Sequence, residues 1–189
     1  MAGGATRVTD DFGRRRPSCS VTAFLRPGEF TMTGIKPCLW FDGHAEEAAA
    51  LYVSLFPDSK IVSVFRYPEG SPMPAGEVAT VDFVVAGLPV QLLNGGPHFT
   101  LSEAFSLSVT VDGGQGEVDR LWDALIAGGG EPSRCGWLKD RFGVSWQIVP
   151  AELIRLQSDP DPQVVARVNQ AMLAMGKIIV ADIEDAANG

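Results

Sequence analysis

The hydrophobic pattern of residues 35–94 predicts a strand, a helix and three more strands. Residues 35–41 form a short apolar run that ends at Asp42-Gly43, which is typical of a strand. From residue 45 to residue 56 the apolar positions recur every three or four residues, as they do on one face of a helix. Three further strand-like segments follow at residues 61–67, 77–86 and 90–94. The first half therefore has the order βαβββ.

The second half repeats this order. Residues 105–111 are strand-like, a helical face runs from Val118 to Leu125, and short strands are predicted at residues 131–134, 135–139 and 144–149. An offset of 70 residues places Asp112-Gly113 on Asp42-Gly43 and Leu121 on Leu51. We interpret this agreement in order and spacing as an internal duplication.

The flanking segments differ from the two halves. Residues 1–31 lack periodicity, and we predict a disordered tail before one domain at 32–189, with module one at 33–97, module two at 103–150 and an extension at 151–189. In the extension a helix is predicted to start near Pro162, preceded by the capping candidates Ser158, Asp159 and Asp161. The apolar segment 178–183 needs a docking partner, which is either the domain's own surface or a second subunit. We expect a homodimer.

Composition narrows the function. The 189 residues carry a formal net charge of -8, which argues against nucleic-acid partners and anionic membrane surfaces. The longest apolar runs fall far short of the ~20 residues that cross a bilayer. The cysteines are Cys19, Cys38 and Cys135, an odd number without CxxC spacing, which indicates a reducing compartment. We therefore expect a cytoplasmic protein with no membrane partner.

Three segments carry a resemblance to a known family: residues 37–52 (PCLWFDGHAEEAAALY), 93–97 (LNGGP) and 135–147 (CGWLKDRFGVSWQ). They resemble the PhnB-like family of the vicinal oxygen chelate, or glyoxalase–bleomycin resistance, superfamily, over roughly residues 33–186. The resemblance implies an α+β fold in which two βαβββ modules form a paired, partly open sheet around a cavity, with a C-terminal helix.

The domain of that family is often labelled a 3-demethylubiquinone-9 3-methyltransferase. A methyltransferase of the doubly wound type needs a Gly-rich turn between a strand and a helix to approach its adenosyl cofactor. Here Gly128-Gly129-Gly130 follows the second predicted helix and is better interpreted as the end of that helix. We expect no cofactor.

The resemblance also raises the question of a metal. Enzymes of the superfamily generally hold a divalent ion with His and Glu side chains, and the ion acts as a Lewis acid on the substrate. This chain has two histidines, His44 and His98, both outside the predicted strands, and Gln147 stands where the superfamily usually has a ligating Glu. We predict no metal. The alternative is an unusual site built from Gln147, Asn94 and His98.

Strand alternation indicates which side chains line the cavity. On residues 105–111 the hydroxyl residues Ser106 and Ser108 share one face, and Gln147 shares a face with Ser145. The predicted ligand-binding set is Trp40, Asn94, Ser106, Ser108, Trp137 and Gln147. Competing interpretations place the tryptophans in the core and Asn94 in a turn. No catalytic role is assigned, and Asp140 and Arg141 are interpreted as solvated turn residues.

Three functions remain open. The first is a binder that takes a small molecule in its cavity without the usual metal. The second is an enzyme, either of the glyoxalase/dioxygenase-like superfamily or the methyltransferase that the family label implies. A structural partner role is weaker, because no charge run or exposed amphipathic stripe requires one.

Overall fold

Module one is a four-stranded sheet with one helix on its face. A computed structural model describes residues 34–189, of which Ile35–Gly189 form one unit, and the predicted tail at 1–31 lies outside the described residues. The module consists of the elements β1 (Cys38–Phe41), α1 (Ala45–Leu55), β2 (Lys60–Arg66), β3 (Val78–Val85) and β4 (Leu88–Asn94). Their sheet, called sheet A, has the order β1-β4-β3-β2, with β1 parallel to β4 and the other pairs antiparallel.

Module two has the same topology. It consists of β5 (Leu107–Val111), α2 (Gly114–Ile126), β6 (Glu131–Pro132), β7 (Trp137–Lys139) and β8 (Ser145–Pro150). Its sheet, called sheet B, has the order β5-β8-β7-β6, with β5 parallel to β8. The predicted fold class, α+β with two βαβββ modules, is confirmed. In this part of the chain the two sheets are separate, each with four strands.

The strand registers match between the modules. Cys38 lies opposite Gln91 in sheet A, and Ser108 lies opposite Gln147 in sheet B. Cys38 and Ser108 are related by the offset of 70 residues that the sequence predicts. Residues that pair between β1 and β4 therefore have counterparts in the pairing of β5 with β8.

Both modules share one hydrophobic core. Alternate residues of β3 are buried, and the same alternation on β8 buries Trp146 and Ile148. Helices α1 and α2 lie on these inner faces, and Tyr52 and Phe56 of α1 contact Trp146 of sheet B. The opposite face of each sheet is turned away from this core; we call it the open face.

The C-terminal extension forms three helices, α3 (Ala151–Gln157), α4 (Pro162–Ala174) and α5 (Val180–Asn188). The predicted start of α4 is confirmed, since the Asp161 carboxylate accepts a hydrogen bond of 2.8 Å from the Gln163 amide. Ile178 and Ile183 are buried in a second cluster with Val168. The apolar tail thus docks on its own chain. No helix within residues 34–189 has the length and hydrophobicity needed to cross a membrane.

Candidate functional site

Four of the six predicted site residues meet on the open face of sheet B. The Gln147 amide nitrogen donates a hydrogen bond of 2.8 Å to the Ser106 hydroxyl. Ser108 lies opposite Gln147 on the neighbouring strand β5, and Trp137 lies opposite it on β7. We call Ser106, Ser108, Trp137 and Gln147 the module-two cluster. It combines hydroxyl, amide and indole groups on a partly exposed surface.

A second polar cluster occupies the open face of sheet A. Its centre is Asp82 on β3, whose carboxylate accepts hydrogen bonds from the Lys36 ammonium, from the Gln91 amide at 3.0 Å and from the Ser63 hydroxyl at 3.3 Å. The Cys38 thiol donates to the Gln91 oxygen at 3.6 Å. We call Lys36, Cys38, Asp82 and Gln91 the module-one cluster.

The Cys38 thiol does not have the environment of a nucleophile. Burial, its largest influence, raises the pKa of the thiol, and the Asp82 carboxylate also raises it, while Lys36 opposes both. The thiol therefore stays protonated near neutral pH, whereas a nucleophilic cysteine needs a lowered pKa. This cluster is arranged for binding.

The two clusters correspond position by position. The offset of 70 residues relates Lys36 to Ser106 and Cys38 to Ser108. The registers relate Gln91 to Gln147 and Asp82 to Trp137. The sequence prediction missed Gln91 and Asp82. Strand parity could have identified them, because the segments at 77–86 and 90–94 place both residues on the same face as Cys38.

Trp40 lies on the open face of sheet A, away from the module-two cluster. Its indole nitrogen donates a hydrogen bond of 2.7 Å to the Gly96 carbonyl, and its ring meets that of Phe99 edge to face at 4.9 Å. The other tryptophans divide between core and surface: Trp122 and Trp146 are buried, whereas Trp137 is partly exposed.

The Asn94 side chain connects three segments of backbone. Its oxygen accepts a hydrogen bond of 3.1 Å from the Ala45 amide at the start of α1, and its nitrogen donates to the Val78 carbonyl at 3.0 Å. Helix α1 begins after His44, which makes no capping hydrogen bond with its side chain. Asn94 therefore satisfies one of the free amides at the helix start.

A cleft of about 630 Å³ opens beside this helix start, lined by Asp42, Glu46, Glu47 and Glu77 among others. Arg66 pairs with Glu46 at 2.9 Å and Arg141 pairs with Glu47 at 2.8 Å. Both arginines come from other elements, so these pairs attach α1 to sheet A and to the β7–β8 turn.

The prediction that Asp140 is a solvated turn residue is wrong. It is buried at 3% exposure, and its carboxylate accepts four hydrogen bonds. The donors are the amides of Phe142 and Val144, the indole of Trp146 and the hydroxyl of Tyr52. Its neighbour Arg141 is partly exposed and pairs with Glu47.

The residues present do not fit the metal of the wider superfamily. Within residues 34–189 no group of three or more His, Cys, Asp or Glu side chains could hold a metal ion. The clusters on the open faces carry a protonated thiol, two amides, hydroxyl groups and one carboxylate, Asp82, which already pairs with Lys36; this set lacks the imidazole and carboxylate combination that holds a transition metal. His44 is largely exposed at the start of α1, and His98 is exposed in the loop after β4.

Two βαβββ modules with this strand order place the chain in the vicinal oxygen chelate superfamily. A family model described as 3-demethylubiquinone-9 3-methyltransferase matches residues 33–149, more than half of the chain, and the chain belongs to this PhnB-like family. The sheets are not doubly wound, and Gly128-Gly129-Gly130 come after α2 and its C-cap residue Ala127. The fold thus differs from that of a doubly wound methyltransferase.

Several solved structures are similar to the chain. A putative 3-demethylubiquinone-9 3-methyltransferase, PhnB protein, from Bacillus cereus is 34% identical, covers 63% of this chain and 100% of its own, and has a TM-score of 0.58. Protein PA1353 from Pseudomonas aeruginosa is 24% identical, with 63% and 98% covered and a TM-score of 0.51. The fosfomycin resistance protein FosX from Listeria monocytogenes is 15% identical, with 66% and 97% covered and a TM-score of 0.47. A search of curated proteins gives no match.

Proposed function

We propose that two copies of the chain pair and bind a small molecule, without the usual metal, between the open face of sheet A of one copy and the open face of sheet B of the other. The observation that carries this proposal is the correspondence of the module-one and module-two clusters on faces that both turn away from the shared core. A single chain leaves each cluster uncovered, and a second copy would cover both.

Exposed apolar side chains near the open faces support pairing. Phe65 lies opposite Thr80 on sheet A and is 57% exposed, and Phe99 beside Trp40 is 67% exposed. Large exposed apolar groups at one surface mark interaction sites. Strands β1 and β5 also form sheet edges, which pairing would protect.

We favour binding over covalent catalysis for this cavity. The Cys38 thiol is held protonated, and no histidine from residues 34–189 hydrogen-bonds to it or to the hydroxyls of Ser106 and Ser108. The clusters instead offer amide, hydroxyl and ammonium groups that can orient a ligand on an apolar background. The cysteine pattern supports a cytoplasmic location.

A subunit-mixing experiment tests the shared cavity. The variants Gln91→Leu and Gln147→Leu each damage one wall, so each homodimer should lose binding of anilinonaphthalene sulfonate, followed by its fluorescence. A mixed dimer contains one cavity with both defects and one intact cavity. Random pairing makes about half of the dimers mixed, so mixing the two variants should restore about a quarter of the wild-type signal.

As a control, Gln91→Leu is mixed with wild-type protein in the same way. Sedimentation velocity reports whether dimers form. A monomer in sedimentation, or a mixture of the two variants that restores no binding, would overturn the proposal. Restoration cannot arise if each cavity lies within one copy, because each copy then carries a defect.

A further inference from the structure

The open face of sheet B contains a small cavity next to the module-two cluster. Its volume is about 140 Å³, and its walls include Pro132, Trp137, Leu138, Lys139 and Ser145. A dry cavity of about 150 Å³ in another protein accommodates benzene, so one aromatic ring fits this volume. A ring that carries substituents at most of its positions exceeds it.

The cavity wall carries one polar group without a partner. Ser145 is 3% exposed, and its hydroxyl oxygen has no hydrogen-bond partner within residues 34–189. Leaving a buried hydroxyl unpaired costs about 1–3 kcal/mol. A ligand oxygen in the cavity would complete the hydrogen bonds of this hydroxyl.

The other walls fit a ring. Trp137 lies opposite Gln147 and lines the cavity, where its indole offers a broad apolar surface, and Pro132 and Leu138, which pair between β6 and β7, also line it. At the same cavity Lys139 forms an ion pair with Glu103. The lining is therefore mixed: this pair, Glu131 and Ser133 supply polar groups, while the indole, Pro132 and Leu138 supply apolar surface.

We propose that this cavity binds a single aromatic ring bearing a hydroxyl or carbonyl oxygen, which the Ser145 hydroxyl recognises while Trp137 packs against the ring. This inference rests on the proposed function, because it names the ligand class for the same open face. Ser145 thereby becomes a specificity-determining residue, since a plain hydrocarbon ring leaves its hydroxyl unpaired.

Phenol and benzene are the probes that separate the hydrogen bond to Ser145 from the packing of the ring against Trp137. Each is titrated into the full chain, and binding is followed by tryptophan fluorescence and by ligand-observed NMR. We expect phenol to bind with a dissociation constant of millimolar order, about tenfold tighter than benzene. Ser145→Ala should abolish that preference by weakening phenol binding, and it should not reduce stability because it removes an unpaired group.

Two variants complete the experiment. Trp137→Leu should weaken phenol and benzene alike, whereas Thr110→Val, which removes an exposed hydroxyl on the same face outside the cavity walls and the module-two cluster, should leave their ratio unchanged. Equal affinities of wild type for both probes, no binding of either, or a preference that survives Ser145→Ala would overturn the inference. The subunit-mixing result is independent of these ratios, so failure of the ligand class and failure of the shared cavity are distinguishable.

Discussion

The hydroxyl of Tyr52 donates a hydrogen bond of 2.6 Å to the carboxylate of Asp140, and this bond joins the two modules. Tyr52 belongs to helix α1 of module one, while Asp140 begins the turn between β7 and β8 of module two. Asp140 also accepts from the indole of Trp146 at 2.9 Å. A buried carboxylate of this kind is stable only when its acceptor sites are filled, so the helix and the turn depend on each other.

The variant Tyr52→Phe tests this dependence. It removes one donor from a buried carboxylate and keeps the ring, so we expect the free energy of unfolding to fall by about 1–3 kcal/mol. Urea denaturation measures the change. The control is Tyr67→Phe, because the Tyr67 hydroxyl lies 3.4 Å from the Asn94 carbonyl at a partly exposed position and should change stability by less than about 0.5 kcal/mol. Equal losses for the two variants would contradict the prediction.

Alkaline pH should weaken the same bond. Burial, and then the charge of Asp140, raise the pKa of Tyr52 well above its ordinary value. A tyrosine in the unfolded chain ionises near about pH 10. The stabilisation is therefore fully present below about pH 10 and is lost as the pH rises from there toward the folded-state pKa.

The measurement is the difference in unfolding free energy between wild type and Tyr52→Phe, followed from about pH 8 to about pH 11. This difference should narrow above about pH 10, and Tyr67→Phe provides the matched control. A gap that stays constant over the whole range would show that the Tyr52 hydroxyl does not titrate differently in the two states.

Local periodicity predicted the order of the elements but not all of their ends. The apolar run at residues 35–41 predicts a longer strand than the observed β1, which begins at Cys38 where the ladder with Gln91 starts. Helices α3 and α5 were missed. Only Leu153 and Leu156 of α3 and Ile183 of α5 are fully buried, which is too few positions to establish a helical period.

The site was predicted less completely because its contacts are distant in sequence. Ser106, Ser108 and Gln147 follow from strand alternation, and the structure places them side by side on one sheet face, while their role in ligand binding stays a prediction. Asp82 meets Lys36 only through the register of sheet A. Asp140 resembles a turn residue in sequence, and it is buried because Tyr52, 88 positions away, covers it.

Gly95 should tolerate no side chain. A Cβ at this position would lie 2.2 Å from the Trp40 ring, so the indole would have to move and release the Gly96 carbonyl. We expect Gly95→Ala to lower stability by about 1–3 kcal/mol and to shift the tryptophan fluorescence. Gly116→Ala in helix α2 is the control, because its Cβ meets nothing within 4 Å and alanine should stabilise the helix by about 0.5–1 kcal/mol. Urea denaturation should therefore show a lower free energy of unfolding for Gly95→Ala and a higher one for Gly116→Ala.

Asn94 should act on stability rather than on ligand binding. Its side-chain oxygen accepts a hydrogen bond from the Ala45 amide, and its side-chain nitrogen donates one to the Val78 carbonyl. Asn94→Ala should therefore lower the free energy of unfolding in urea by about 1–2 kcal/mol. Asn94→Asp keeps the acceptor at the helix start, where a negative charge is favourable, and should cost less than alanine. The folded variants should bind anilinonaphthalene sulfonate as wild type does. If Asn94→Ala weakened that binding while the unfolding free energy stayed the same, the amide would belong to the ligand site, because a purely structural amide affects binding only through folding.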